Sequence, residues 1–205
     1  MTTADRKDLK ISKNRLEALV DGIFAFAMTL LVTGLAVPHF SKTEAEAKLS
    51  ISIAELRSEF ISFLVAFFVL ASFWHMHNRQ FYYVRKIDSG TMRITLLILV
   101  CVILMPFTTY TSGAYSNVQV AVGIFHANMF GLGLFFLAHW RHLTKNPDVR
   151  SAEISSREAT LGMWRSLITP VVSVLGFLFS FVSPSLSMAT YLLIIPCVAI
   201  TKRFS

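Results

Sequence analysis

Residues 94–140 read ITLLILVCVILMPFTTYTSGAYSNVQVAVGIFHANMFGLGLFFLAHW, a run of 47 residues without Asp, Glu, Lys or Arg. A helix of about 20 apolar residues crosses a bilayer core that is about 30 Å thick. The run is therefore too long for one crossing. Its middle, Thr111–Asn117, is rich in the glycine and small polar residues that are typical of turns. The stretch predicts two membrane helices joined by a tight turn.

Three further uncharged runs extend this pattern to six predicted membrane helices. Residues 22–41 and 60–78 are each long enough for one crossing, and residues 166–201 break into two at Ser183-Pro184-Ser185. The fold class is therefore predicted to be an all-α membrane protein, with one domain over residues 1–205. The predicted spans are 16–37, 58–80, 91–111, 118–140, 161–182 and 185–201.

The charges indicate membrane orientation and not nucleic-acid binding, although the formal net charge is +7. Sixteen of the 19 Lys and Arg residues precede span one, surround the loops between spans two and three and between spans four and five, or end the chain. The three others, Lys42, Lys48 and Arg57, lie in the loop after span one. The positive-inside rule then predicts a multi-pass protein with both termini in the cytoplasm.

The loop after span one, residues 38–59, is predicted to hold a short surface helix. Ser41 and Glu44 have the spacing of a capping box, in which each residue satisfies a backbone N–H of the other. Glu44 and Lys48 are four residues apart and can pair on one helix face.

Polar residues at the cytoplasmic ends of spans one and two suggest an interhelical network. Arg15 and Asp21 are six residues apart, about 240° around a helix, so each needs its own partner on another helix. Trp74, His77 and Asn78 have i, i+3 and i+4 spacing and are predicted to share a face. Because neighbouring helices run antiparallel, this face is expected beside Asp21. An ordinary belt of interfacial anchors is the alternative.

The sequence has no pattern of a catalytic or metal centre. His75 and His77 are two residues apart and do not face each other on a helix, and no nucleophile has a base at a suitable spacing. We therefore expect neither an enzyme nor a cofactor. The remaining polar and thiol side chains of the spans are expected to fill space, form hydrogen bonds or lie at the interface: His126, Asn128, His139, His142, Cys101 and Cys197.

Span one carries a stripe of Phe26, Thr29 or Leu30, and Thr33, next to small residues that permit close helix approach. Such a stripe is usually core packing. Alternatively, the stripe lines a pore. Its apolar side chains then form a constriction, with hydroxyl groups between them, and such a constriction can gate by dewetting.

Several of these residues form motifs that resemble those of the bacterial six-helix relatives of the endosomal and lysosomal potassium channel. The Arg-x-x-x-Phe-Ser-Asp motif of that family corresponds to Arg15–Asp21, with Leu19-Val20 in place of Phe-Ser. A Trp-x-x-His-x-x-x-Phe pattern corresponds to Trp74, His77 and Phe81, and the family's Leu-Pro-Phe/Tyr-Thr to Met105–Thr108.

The resemblance implies a homotetramer in the bacterial plasma membrane, with the first helices lining a central pore for monovalent cations, potassium in particular. It implies that Phe26 closes the pore, with Leu30 and Thr33 further out, and that the Thr29 and Thr33 hydroxyls contribute to selectivity. Arg15, Asp21, Trp74, His77 and Asn78 would then hold the first helix in register. A proton-coupled secondary transporter that uses Asp21 and His77 is the alternative function.

Overall fold

The protein is helical throughout the parts that the structure, a computed structural model, describes: residues 12–36, 38–150 and 154–194. A 3₁₀ turn over Leu31–Gly34 extends the first helix, and another over Met188–Leu193 extends the last described helix. Within the described ranges the only β pairing is an isolated bridge between Val84 and Arg150, so the predicted all-α class is confirmed. The helices are α1 (Lys13–Leu30), α2 (Lys42–Glu55), α3 (Arg57–Tyr82), α4 (Ser89–Ala114), α5 (Gln119–Lys145), α6 (Ser156–Phe179) and α7 (Pro184–Ser187).

Within the described residues, five helices are long and apolar enough to cross a membrane: α1 with its 3₁₀ turn, α3, α4, α5 and α6. Their positions agree with the first five predicted spans. The sixth, predicted at 185–201, lies partly outside the described residues, as does Cys197. Up to Ile194 it consists of α7 and a 3₁₀ turn.

The core lies around α4 and α5, which pack against each other, with α1 and α3 beside α4 and α6 beside α5. The Phe73 ring of α3 stacks on Phe136 of α5 with centroids 5.0 Å apart. Because lipid is as apolar as these side chains, close packing stabilises helix contacts here more than removal from water does. The largest fully buried side chains of this cluster include Phe24, Leu70, Ile98, Met105, Phe125, Met129, Leu132 and Phe136.

The predicted surface helix is confirmed as α2, which begins with a capping box. Ser41 accepts a hydrogen bond from the backbone N–H of Glu44, and the Glu44 carboxylate accepts one from the Ser41 backbone. Lys48 Nζ lies 3.3 Å from Glu44 Oε1. None of the α2 residues is buried, so these local interactions determine where the helix begins.

A second polar junction joins the start of α4 to the end of α5. Asp88 caps α4 by accepting from the Thr91 N–H at 2.7 Å, and His142 Nε2 lies 2.9 Å from its other oxygen. Partial burial raises the pKa of Asp88, but the hydrogen bonds from Thr91 and His142 outweigh it and bring the pKa to about 2. Gly90 permits this approach, because a Cβ there would clash with the His142 ring.

Candidate pore helix

The first helix has one packed face and one open face. Leu16, Val20, Phe24, Ala27 and Leu31 recur at intervals of three or four residues and are all buried. The opposite face of α1 makes little contact with the other described residues. At Gly22, at the centre of that face, no described residue lies within 4 Å of where a Cβ would be.

All four pore candidates lie on or beside this open face. Phe26 is 65% exposed, whereas Phe24, two residues away, is fully buried. Thr29 and Thr33 are also exposed, and Leu30 is half-buried. A bulky aromatic ring that projects away from the bundle has no partner within the described part of this chain's core.

The two threonine hydroxyls on this face have a defined orientation. Thr29 Oγ1 donates to the Phe26 carbonyl at 2.8 Å, and Thr33 Oγ1 donates to the Leu30 carbonyl at 2.7 Å. Each hydroxyl proton therefore points back at the helix, and the oxygen lone pairs remain available as acceptors. Such oxygens are suitable ligands for a desolvating monovalent cation.

Leu30 lies at the border between the open face of α1 and α4. It forms one edge of a shallow, mostly apolar cleft at the end of α1. The cleft is lined by Leu30, Thr33, Gly34, Pro106, Phe107 and Tyr110. Leu30 is four residues beyond Phe26, so the two side chains lie on the same side of α1, about 40° apart.

Asp21 and Trp74 are brought together by the packing of α1 on α3. Trp74 Nε1 donates to Asp21 Oδ1 at 2.8 Å, and both residues are exposed within the single chain. Because the acceptor is an ionised carboxylate, this hydrogen bond is stronger than one between neutral groups. It links the edge of the open face of α1 to the neighbouring helix.

His77 is turned into the core, although it is one turn away from Trp74. It is 1% exposed, and its ring stacks on Phe81 with centroids 4.0 Å apart. Neither ring nitrogen has a hydrogen-bond partner among the described residues. Of the five residues predicted to form the network, Asp21 and Trp74 are joined by a hydrogen bond, and Asn78 and Arg15 are exposed within the single chain.

A buried polar group on the inner side of α3 was not predicted. Gln80 Oε1 lies 2.7 Å from His139 Nδ1, and Gln80 Nε2 donates to the Phe136 carbonyl at 3.3 Å and to Ser166 Oγ at 3.4 Å. It connects α3, α5 and α6. The i, i+3 spacing of His77 and Gln80 on an otherwise apolar face was the available signal.

The histidines of α5 form hydrogen bonds as expected. His126 lies 2.9 Å from Tyr191 Oη and 3.0 Å from Ser187 Oγ, which ties the last described segment to α5. Asn128 donates to the Cys101 carbonyl at 3.0 Å. In the described ranges no three His, Cys, Asp or Glu side chains are grouped as a metal site.

The chain is similar to known proteins in both sequence and helix arrangement. The family model "Endosomal/lysosomal potassium channel TMEM175" matches residues 15–106, which include the open helix α1 and the Asp21–Trp74 contact. Over these residues the chain is similar to the TMEM175 family. A potassium channel of Streptomyces collinus is 28% identical over 181 residues, and the alignment covers 86% of each chain.

The fold agrees with that of a TMEM175 homologue. The crystal structure of a lysosomal potassium-selective channel TMEM175 homologue from Chamaesiphon minutus matches with a TM-score of 0.79 at 25% identity. The match covers 92% of this chain and 97% of that one. The bovine endosomal/lysosomal proton channel TMEM175 is 24% identical over 88% of this chain but only 40% of its own length. The TMEM175 fold and the apolar helices together identify an integral membrane protein.

Proposed function

We propose that this chain is a member of the TMEM175 family and forms a potassium-permeable cation leak channel. In this proposal four copies assemble in the bacterial plasma membrane with both termini in the cytoplasm, and the open faces of their α1 helices line the pore. The observation that supports it best is the open face of α1: it lies opposite the packed face, and at its centre a Cβ on Gly22 would meet none of the residues that the structure describes.

The composition of the open face favours a pore or a helix contact over lipid. Besides the large apolar residues Phe26, Leu19 and Val32, it presents Gly22, Ala25, Thr29 and Thr33, which are small or carry a hydroxyl. The exposed stripe of α6 instead consists of bulky apolar residues such as Val171, Val174, Leu175 and Leu178. Small residues permit helices to approach closely, and bulky apolar ones are typical of lipid-facing surfaces.

Phe26 is the proposed gate. Four copies of this ring around a symmetry axis would form an apolar constriction from which water is readily excluded. Leu30 and Thr33 lie one and two turns further along, and Thr29 and Thr33 offer hydroxyl oxygens to a cation that passes the ring. No cofactor is required, since the permeant ion is the only ligand.

The Asp21–Trp74 hydrogen bond is proposed to hold α1 at a constant orientation relative to α3. A rotation of α1 would move Phe26 away from the axis and break this bond. His77, which packs behind it against Phe24 and Phe81, would resist the same rotation by ring packing. Asn78 and Arg15 are exposed in the single chain and would act at contacts between subunits.

Reconstitution of the purified protein in liposomes tests the proposal directly. We expect four copies per particle by light scattering or native mass spectrometry, and a potassium flux that follows the voltage without saturating. A monomer without flux contradicts the proposal. Saturable flux coupled to protons, lost on Asp21→Asn or His77→Gln, would show the transporter function instead.

Gly22 gives a separate test of whether other subunits cover the open face. Within one chain a larger residue at this position has free space. If four α1 helices meet there, Gly22→Leu overpacks the contact and is expected to weaken tetramer association by about 1–3 kcal/mol. The measurement is the fraction of tetramer against protein concentration in detergent.

Ala127→Leu, on the exposed side of α5, is the matched control for Gly22→Leu and should leave association unchanged. A Gly22→Leu protein that assembles as well as this control would remove the α1 face from the subunit contact.

A further inference from the structure

Leu19 is a second large apolar side chain on the open face of α1. It is 47% exposed within the described part of the chain, whereas its neighbours Leu16 and Val20 are buried. It precedes Phe26 by seven residues, so the two side chains lie about 20° apart around the helix and about 10.5 Å apart along it. Both belong to the same unbroken α-helix. A surface that Phe26 faces is therefore faced by Leu19 as well.

The hydrogen bond between Asp21 and Trp74 shows which side of α1 faces α3. Trp74 Nε1 donates to Asp21 Oδ1 at 2.8 Å. Asp21 lies about 160° around the helix from Leu19 and about 140° from Phe26. The two large side chains therefore point away from α3, and neither belongs to the buried core of the described residues.

The other residues of this stripe are polar or small. Arg15, one turn before Leu19, is exposed, and so are Gly22, between Leu19 and Phe26, and Thr29, just beyond Phe26. The stripe thus has two separate bulky apolar positions, unlike the exposed side of α6, where bulky apolar residues follow one another. This alternation suits a water-filled path that is crossed by apolar constrictions.

We infer that Leu19 forms a second apolar constriction of the pore, on the cytoplasmic side of Phe26. The inference rests on the proposed function, because it takes the open face of α1 as the pore lining. Gly22 has no side chain, so four α1 helices can approach closely at its level. The bulky side chains one turn to either side then project toward the axis. A ring of four leucine side chains is an apolar constriction from which water is readily excluded.

Two constrictions in series predict a distinctive pattern of flux. The higher barrier limits the flux while it is intact, and the lower one becomes limiting only when the higher has been removed. Phenylalanine is bulkier than leucine, so the Phe26 ring is the higher barrier. Leu19→Ala alone is therefore expected to change potassium flux by less than about twofold, whereas Leu19→Ala/Phe26→Ala should conduct about fivefold more than Phe26→Ala.

The test measures the initial rate of potassium flux at a constant membrane potential in liposomes that contain the full-length protein. The tetramer fraction of each variant is measured alongside. Leu96 is also 47% exposed but projects from α4, so Leu96→Ala/Phe26→Ala is the matched control and should conduct like Phe26→Ala. Leu19→Phe/Phe26→Ala tests the opposite direction, because a larger side chain narrows the remaining constriction. It should lower the flux about fivefold relative to Phe26→Ala.

Equal flux through Leu19→Ala/Phe26→Ala and Phe26→Ala would overturn the inference and leave the proposed channel in place. The same conclusion follows if the Leu96 control conducts as much as the Leu19 double variant. If Leu19→Ala/Phe26→Ala does not assemble, the Leu19→Phe/Phe26→Ala protein decides, and a flux equal to that of Phe26→Ala counts against the second constriction. A monomeric wild type without flux instead contradicts the proposed function, and the Leu19 constriction with it. The subunit count and the wild-type flux distinguish the two failures.

Discussion

Replacing Phe26 with alanine is expected to raise potassium flux through reconstituted liposomes by about tenfold or more. The proposed constriction excludes water because four large apolar rings meet there, and truncation of each ring widens it and admits water. A barrier that is lower by about 1.4 kcal/mol is sufficient for a tenfold increase in rate. The measurement is the initial rate of cation flux at a constant membrane potential, normalised to the amount of protein.

Phe68 provides a closely matched control for this experiment. It is 62% exposed, close to the 65% of Phe26, but it projects from α3. Phe68→Ala is expected to leave the flux unchanged. If both variants leak equally, the increase reflects general membrane disruption; if Phe26→Ala conducts like the wild type, Phe26 does not lie in the pore.

Loss of the Asp21 carboxylate is expected to destabilise the assembled protein by about 3 kcal/mol. Within one chain Asp21 is exposed and accepts the Trp74 indole hydrogen bond at 2.8 Å. In the proposed tetramer other subunits cover this edge of α1, and Asp21→Ala leaves the indole N–H without an acceptor. The free energy of unfolding and the tetramer fraction in detergent are the quantities to measure.

A double-mutant cycle separates the hydrogen bond from the other effects of these substitutions. Trp74→Phe keeps an aromatic ring but removes the N–H, and is expected to lower stability by about 1.5–3 kcal/mol. The double variant Asp21→Ala/Trp74→Phe should be less destabilised than the sum of the single variants. Trp164→Phe in detergent, with an exposed indole on α6, is the control and should change stability by less than about 0.5 kcal/mol. Additive single effects would show that the contact contributes nothing.

The positions of the membrane helices were predictable from charge alone. A charged side chain inside a bilayer is costly, so the ends of the uncharged runs mark the ends of the crossings. The run at residues 60–78 lies within α3, and the turn chemistry around Thr111–Asn117 marks the boundary between α4 and α5. The capping box at Ser41 was equally predictable, because it depends on residues only three apart.

The directions of the polar side chains were less predictable. Spacing places Trp74 and His77 on similar sides of α3, yet Trp74 reaches Asp21 and His77 is buried against Phe81. Residues at i and i+3 differ by about 60° around the helix, which is enough to separate a side chain at the edge of a contact from one in its centre. Gln80 was missed for the same reason, since its partners on α5 and α6 are 56 and 86 residues away.

The sequence by itself determined that this protein is helical and that at least five of its helices are long and apolar enough to cross a membrane. These properties depend on local composition and on the penalty for charge in lipid, and both can be seen within about 20 residues. Only the tertiary structure decided which face of α1 is open. Phe24 and Phe26 are chemically identical, but one is buried in the core and the other is 65% exposed, because the packing of α3 and α4 against α1 covers one side and leaves the other open.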